Sequence, residues 1–382
     1  MTTRTRWRRR LAWGLGAAAA VVALALLTIR LTLGGGRPYP DVSTSPRLPA
    51  TDLEVLAELP LPAGNVAASG GGRIFFDLHP FAEPWRFTDA FLFEWVDGRA
   101  RPYPDAQTQA DLKGALGLTV DALDRLWVVI PAGLEDRPTR LLAFDLSTDA
   151  LVFDHEFDAG TFLQDLRVSP DGGTVYLADT GAFFLAPPAL VVFDVEHRTA
   201  RRVLEGHPAV EPQDWVIQTR EGPYRLGWGL LTFSVGVDGL SLDPEGRWLY
   251  LASMSHDTLV RVPTASLRDP ALTAEALAAA VEPVGSKPLS DGIQTDPYGR
   301  VLVTDVEHGG VAMVTPDGTL QTVIRSEDVV WADGIALGPE GSVLLTDSRI
   351  PAYIDPLLRP PSRAQLEAAG PHRILRFPLP PP

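Results

Sequence analysis

No cysteine occurs among the 382 residues. Disulfides, thiolate metal sites, iron–sulfur clusters and a cysteine nucleophile are therefore excluded. The absence is compatible with an oxidising compartment and means only that the fold needs no covalent staple. Lysine is almost missing: of 33 basic residues only Lys113 and Lys287 are lysines, a bias read as genome composition. Several catalytic signatures are also missing. There is no G-x-S-x-G, no G-x-x-x-x-G-K and no G-x-G-x-x-G opening a helix, so a common serine hydrolase, an NTPase and a dinucleotide enzyme lack support. None of the seven histidines forms an H-x-H or H-E-x-x-H pair, which removes a zincin.

What is abundant points to a β-rich globular chain. Gly 34 and Pro 35 favour many turns, and Trp 9 and Phe 15 join frequent Val and Leu as strand formers. The net charge is −15, yet the first ten residues hold five arginines and no acid, leaving −20 on the rest. A surface that acidic disfavours nucleic acid and suits a cation or simple solubility.

The segment MTTRTRWRRR precedes LAWGLGAAAAVVALALLTI, residues 11–29, which is uncharged and long enough to cross a bilayer as a helix. The arginine cluster would stay in the cytoplasm, with the remainder outside. A cleaved signal peptide is the rival reading, and it would make the chain secreted rather than anchored by a single span. Residues 1–33 are thus assigned as membrane anchor or signal segment. Residues 34–50, GGGRPYPDVSTSPRLPA, have linker composition. The folded domain is expected over 51–382.

Within that domain one pattern recurs. SDGIQTDPYGRVLVTD (290–305) returns as ADGIALGPEGSVLLTD (332–347). Related copies begin at Gly64, Leu116, Gln164 and Asp238. Each has a short alternating run, a turn rich in Pro, Asp and Gly, and a run of β-branched and aromatic residues, which describes a tight antiparallel hairpin. Further strands follow each hairpin. Six hairpins with four strands per unit predict an all-β, six-bladed β-propeller behind the N-terminal transmembrane helix. The strand-like ends LEVLAEL (53–59) and HRILRFPL (372–379) are expected to close the ring in one shared blade. A helix is predicted over 271–281, and 205–236 reads as irregular and Trp-rich.

In a propeller the first strand of each blade lines the channel, so residues opening these strands should share one mouth. They are Asn65, Asp165, Asp238, Asp291 and Asp333. The hairpin should also bring Asp305 beside Asp291, Asp347 beside Asp333 and Asp179 beside Asp165. Oxygen donors without cysteine suit one hard divalent cation, Ca²⁺ or Mg²⁺, or weakly held Zn²⁺. Close carboxylates can instead raise one pKa and create a general base, with Asp291 and Asp333 as candidates. Asp before Gly also caps strand starts by bonding its own backbone, and that structural role competes with the functional one. His79 and His308 follow inner hairpins and are candidates to reach the mouth. Trp215, Trp228, Phe233 and Trp331 could form an aromatic wall for a flat ligand or serve as blade packing.

GNVAASGGGRIFFDLHPF, LTVDALDRLWVV, LLAFDLSTDALVFDHEF, TFLQDLRVSPDGGTVYLADTG, ALVVFDVEHRTARRVL and DGLSLDPEGRWLYLAS follow the order and style of the major royal jelly protein/Yellow family. The resemblance spans residues 55–350 and implies a six-bladed propeller. Bacterial members are labelled as related to L-dopachrome tautomerase, and some insect relatives bind biogenic amines in the channel. The chain is more distantly similar to SMP-30/gluconolactonase propellers, which hold a divalent metal with Glu, Asn and Asp. That likeness implies Asp291, Asp165 and Asn65 as metal ligands. Gln164 departs from the Asn-Asp pattern, and blade 1 offers Gly64-Asn65 where a Glu is expected. The expectation is therefore a monomeric, extracytoplasmic propeller that binds or converts a small cyclic molecule, with tautomerase-type activity if it is an enzyme. A metal-dependent lactone hydrolase and a non-catalytic envelope interaction module are the alternatives.

Overall fold

The computed structural model describes residues 3–132, 137–158, 162–181, 186–354 and 359–382. Six four-stranded antiparallel sheets stand around a central channel. Blade 1 has strands Ala63–Ala68, Ile74–Leu78, Leu92–Val96 and Arg99–Pro102. Blades 2, 3, 4 and 5 begin at Gly117, Leu163, Val237 and Ile293 and repeat the same in-to-out order. Blade 6 takes Ala332–Leu337, Ser342–Asp347 and His372–Pro378 from the C-terminal part of the chain. Its outer strand, Glu54–Leu59, comes from the start of the domain. That strand pairs antiparallel with His372–Pro378, Leu59 opposite His372 and Glu54 opposite Arg376. The shared blade anticipated from the sequence therefore closes the ring, and the inner strands touch in an unbroken circle.

The blades hold together through apolar layers between neighbouring sheets. Side chains alternate faces along a strand. Phe75 accordingly packs toward blade 2 with Leu126 and Phe144, and Phe76 toward blade 6 with Leu344 and Ile374. Trp127 faces blade 3 with Val175 and Phe193, while its neighbours Leu126 and Val128 face blade 1. Both faces of a blade are covered, so the second strands read as continuous apolar runs rather than alternating ones.

The repeated Pro/Asp/Gly turn has a side-chain clamp. In blade 5 Asp296 Oδ1 accepts from Tyr298 N and Arg300 N, both at 2.9 Å, and its Oδ2 lies 2.6 Å from Arg300 Nε. Asp121 does the same for Leu123 N and Arg125 N in blade 2. Gly299, with φ 75°, supplies the left-handed residue such a turn requires. In blades 3 and 6 the aspartate ending the second strand clamps the loop that enters the inner strand. Asp347 Oδ1 accepts from Val330 N and Trp331 N, and Asp179 Oδ1 from Phe162 N and Gly181 N.

The Pro/Gly-rich segment 34–50 is laid against the propeller. Arg37–Pro38 pairs in parallel with Trp215–Val216, the Tyr39 hydroxyl donates to Lys287 O at 2.9 Å, and Leu48 N donates to Val323 O. The predicted helix over 271–281 is shorter, Ala274–Ala279, with Thr273 as its N-cap. The irregular stretch before blade 4 contains only two-residue strands between Trp215 and Thr232. The N-terminal helix is Thr3–Leu33, and Ala12–Leu33 is long and apolar enough to cross a membrane.

Candidate functional site

The inner strands break their register where the site residues sit. Shifts fall between Ala63 and Val66, Leu163 and Leu166, Val237 and Gly239, and Ala332 and Ile335. Bulges of this kind bend a strand and re-aim its side chains. The glycines after Asp238 and Asp291 are required by the neighbouring blade. A Cβ on Gly239 would lie 2.7 Å from Asp291 O, and one on Gly292 2.6 Å from Asp333 O. The Asp-Gly pair is thus a channel-facing carboxylate followed by the point of closest blade-to-blade approach.

The geometry places Asp165, Asp238, Asp291 and Asp333 together at one mouth, each buried, at 3–7 % exposure. Their roles differ. Asp165 is fully engaged: Oδ1 accepts from Leu166 N and Arg167 Nη1 at 2.7 and 2.9 Å, and Oδ2 from Leu240 N at 2.9 Å. Asp238 Oδ2 accepts from Gln164 Nε2 at 3.0 Å, which gives the departing Gln164 a structural task. Asp291 Oδ2 accepts from the Trp331 indole N–H at 2.7 Å. Asn65 Nδ2 donates to Leu116 O of the next blade. Asp333 Oδ2 makes no hydrogen bond of good geometry and lies 3.9 Å from His79 Nε2.

Burial dominates the electrostatics. It pushes Asp291 up to about 7, opposed by the Trp331 bond and reinforced by Asp165. Burial first, then the charge of Asp291, holds Asp333 and Asp238 well above the ordinary carboxylate range. Burial lowers His79 to about 3, so its ring is neutral and its Nδ1 accepts from Phe81 N. His79 reaches the mouth as expected. His308 has its contacts on the rim of blade 5 instead, with Nδ1 3.0 Å from Asp305 and Nε2 3.7 Å from Asp41. It lines a surface depression of about 590 Å³ with Arg220, Glu307 and Arg325.

Four further groups complete the mouth. Asp77, at the end of the second strand of blade 1, is buried and holds Asn65 N on Oδ1, while Oδ2 is unpartnered. It occupies the position of Asp179, Asp305 and Asp347, so the repeat itself could have identified it. Ser348 and Tyr353 follow the blade 6 hairpin and carry no pattern that marks them; the Ser348 and Tyr353 hydroxyls are buried and make no hydrogen bond of good geometry. Lys287 is fully buried, donating to Pro288 O and Ser290 Oγ, and burial lowers it to about 7. Its rarity in the sequence was the only available signal.

An aromatic and aliphatic cap covers this mouth. Tyr224, Phe233 and Trp331 pack with centroids 4.6–6.0 Å apart, joined by Leu226, Ile350 and Tyr353. Of the proposed aromatic wall, Phe233 and Trp331 belong to the cap, Trp215 packs on Tyr39, and Trp228 is 82 % exposed. Below the mouth Arg167 crosses toward blade 5 and donates to Ile293 O at 3.1 Å. On its far side the channel opens into a cavity of about 240 Å³ lined by Thr119, Ser241 and Gln294.

The predicted metal ligands do not converge. Asp165 has both oxygens engaged by backbone N–H groups and Arg167, and Asn65 is turned to Leu116 O. Among the described residues no three His, Asp or Glu side chains form a group able to hold a metal ion. Ca²⁺, Mg²⁺ or Zn²⁺ therefore enters no step below.

Solved structures with this architecture include a gluconolactonase from Xanthomonas campestris, 16 % identical, with 86 % of this chain and 89 % of that one covered and a TM-score of 0.54. A calcium-binding regucalcin from Agrobacterium tumefaciens is 14 % identical over 88 % and 96 % of the two chains, also at 0.54. A putative gluconolactonase is 13 % identical over 91 % and 97 %, at 0.51. Identities this low establish the shared fold alone. No curated protein matches the sequence. Residues 113–345, more than half the chain, match the family described as Major royal jelly protein. The protein is a member of the major royal jelly protein family.

Proposed function

We propose that this chain is a membrane-anchored, extracytoplasmic propeller that binds a small ring compound at its capped channel mouth. The ring would lie against Trp331, Phe233 and Tyr224, and an N–H, ammonium or O–H of the ligand would bond Asp333. Asp291, Asp238, Asn65 and His79 would shape the polar side of the site. One observation carries this reading. Four buried atoms that make no hydrogen bond of good geometry, Asp77 Oδ2, Asp333 Oδ2, Ser348 Oγ and Tyr353 Oη, gather at this mouth, where Ser348 interacts with both Asp333 and Tyr353. Leaving such an atom unbonded costs about 1–3 kcal/mol, so a ligand that completes the bonding of Asp77 and Asp333 would be favoured. The anchor rests on the apolar helix Ala12–Leu33 behind an arginine cluster.

If the site is catalytic, the chemistry its residues supply is proton transfer. Asp291, raised to about 7, can both take and return a proton near neutral pH. Asp333, pushed well above the ordinary carboxylate range by burial and by Asp291, would in its protonated form donate a hydrogen bond to a carbonyl or hydroxyl. This fits a tautomerase-type reaction. The lactonase alternative lacks a converging donor set for its metal. The interaction-module alternative draws support from the cap, which closes the mouth over buried acids.

The test is thermal unfolding of the full chain in detergent with aromatic amines and with lactones. An aromatic amine at a hundredfold excess over Kd stabilises the fold by about 2.7 kcal/mol. That stabilisation is expected in the parent protein and lost in Asp333→Asn, which keeps its fold. No response to either ligand class would favour the interaction module.

A further inference from the structure

The cap over the channel mouth carries a feature that packing does not explain. Gly227, Trp228 and Gly229 are three consecutive residues at positive φ, 59°, 57° and 83°. For a bulky residue such as Trp this conformation is a genuine outlier that surrounding structure must impose. The result is an indole held out of the protein, 82 % exposed, beside half-buried Leu230 and Leu231.

The location supplies a reason. The turn closes with Leu230 N donating to Gly227 O, and it lies against the end of the N-terminal helix. The helix contacts Leu231–Thr232, the Thr232 hydroxyl donates to Gly35 O at 2.7 Å, and a Cβ on Gly34 would lie 2.2 Å from Leu230 O. The apolar span ends at Leu33. A four-residue turn is less than about 7 Å across, so with the helix spanning a bilayer Trp228 would fall within the headgroup layer, about 5–8 Å thick on each side of the hydrocarbon core. Tryptophan is the side chain favoured there, its ring amphipathic and its N–H in contact with water. With −20 on the chain beyond the arginine cluster, burial of an aromatic ring rather than net attraction to anionic lipid would provide the contact.

The geometry points to Trp228 and its turn as a membrane-interface anchor that docks the capped face of the propeller onto the bilayer its own helix spans. This rests on the reading of that helix as a transmembrane anchor. The same excursion of the chain supplies Tyr224, Leu226 and Phe233 to the cap, so the lid over the acidic ring faces the lipid surface. A ligand would then reach the mouth from the interface, which favours compounds that partition there.

Because the chain has no cysteine, single cysteines report unambiguously. Trp228→Cys, Leu24→Cys and Tyr298→Cys, each spin-labelled in the full chain in phosphatidylcholine nanodiscs, compare the cap tip, the helix and the exposed turn at the opposite rim. Leu230→Cys repeats the tip measurement with the indole retained. Labels at 24, 228 and 230 are expected to be more accessible to oxygen than to a nickel chelate, and the label at 298 the reverse. If 228 and 230 behave like 298 while 24 does not, the docking is wrong and the anchor stands. If 24 is also chelate-accessible, both fall.

Discussion

Replacing Asp291 with Asn tests whether the carboxylates at the mouth are held against their nature by burial. The Asp291 carboxyl rises from 3.8 in an open chain to about 7 in the fold, mainly because burial penalises its charged form. Between these values the folded protein binds more protons than the unfolded one, so stability falls as pH increases. It is fully present below about pH 4 and lost by about pH 7. At about 1.4 kcal/mol for each pH unit the span corresponds to about 4 kcal/mol. Lys287 works in the opposite window. Burial lowers it from 10.5 to about 7, the unfolded chain binds the extra proton between these values, and stability rises with pH there. The parent protein should therefore be least stable near neutral pH.

In Asp291→Asn the amide oxygen still accepts from the Trp331 indole, so the packing is retained. The group no longer ionises, and the acid limb of the profile should flatten by up to that amount. Asp333, Asp238 and Asp77, also raised by burial, share the remaining titration. Lys287→Met should flatten the alkaline limb alone. Urea unfolding of the full chain in detergent from about pH 4 to about pH 10, the window of both groups, measures each limb. An Asp291→Asn profile running parallel to the parent and lower by a constant would refute the reasoning. Asp291 would then be a strand cap whose ionisation is the same folded and unfolded.

Arg167→Met removes the bridge to Asp165 and Ile293 O and leaves a buried carboxylate without its cation, at a cost of about 3–5 kcal/mol. The loss should grow from pH 5 to pH 8, roughly the range over which an unpaired buried acid ionises, and a loss independent of pH in urea unfolding would contradict the pairing. Ca²⁺, Mg²⁺, Zn²⁺ or a chelator should leave the melting temperature unchanged, because Asp291, Asp165 and Asn65 do not converge. A rise of several degrees with one of these ions would show that the donors rearrange around it.

The six blades were legible because every hairpin repeats the same turn, and the closing strand was legible because Glu54–Leu59 and His372–Pro378 are strand-like ends with no other partner in the repeat. Segment 34–50 was not. Its composition reports a lack of apolar period, but it is held by backbone groups, such as Leu48 N on Val323 O, that composition does not encode. The cap was hidden for a related reason. Tyr224, Phe233, Ile350 and Tyr353 come from irregular connections whose meeting depends on the closed ring.

The aspartates separate into three classes once their bonds are known, and the classes bear unequally on function. Those in the turns, such as Asp121 and Asp296, are consumed by backbone N–H groups and an arginine four residues on. Those closing the second strands, such as Asp179 and Asp347, are consumed by the loop they clamp. Of those opening the inner strands, Asp165 is spent on Leu240 and Arg167, Asp238 on Gln164, and Asp291 on Trp331. Asp333 alone of that class has a fully buried oxygen without a bond of good geometry, and it faces blade 1, where Asn65 replaces an acid and Asp77 also keeps such an oxygen. The buried carboxylate oxygens without good bonds thus fall at one seam, between blades 6 and 1. A ligand of the kind proposed would engage that seam first.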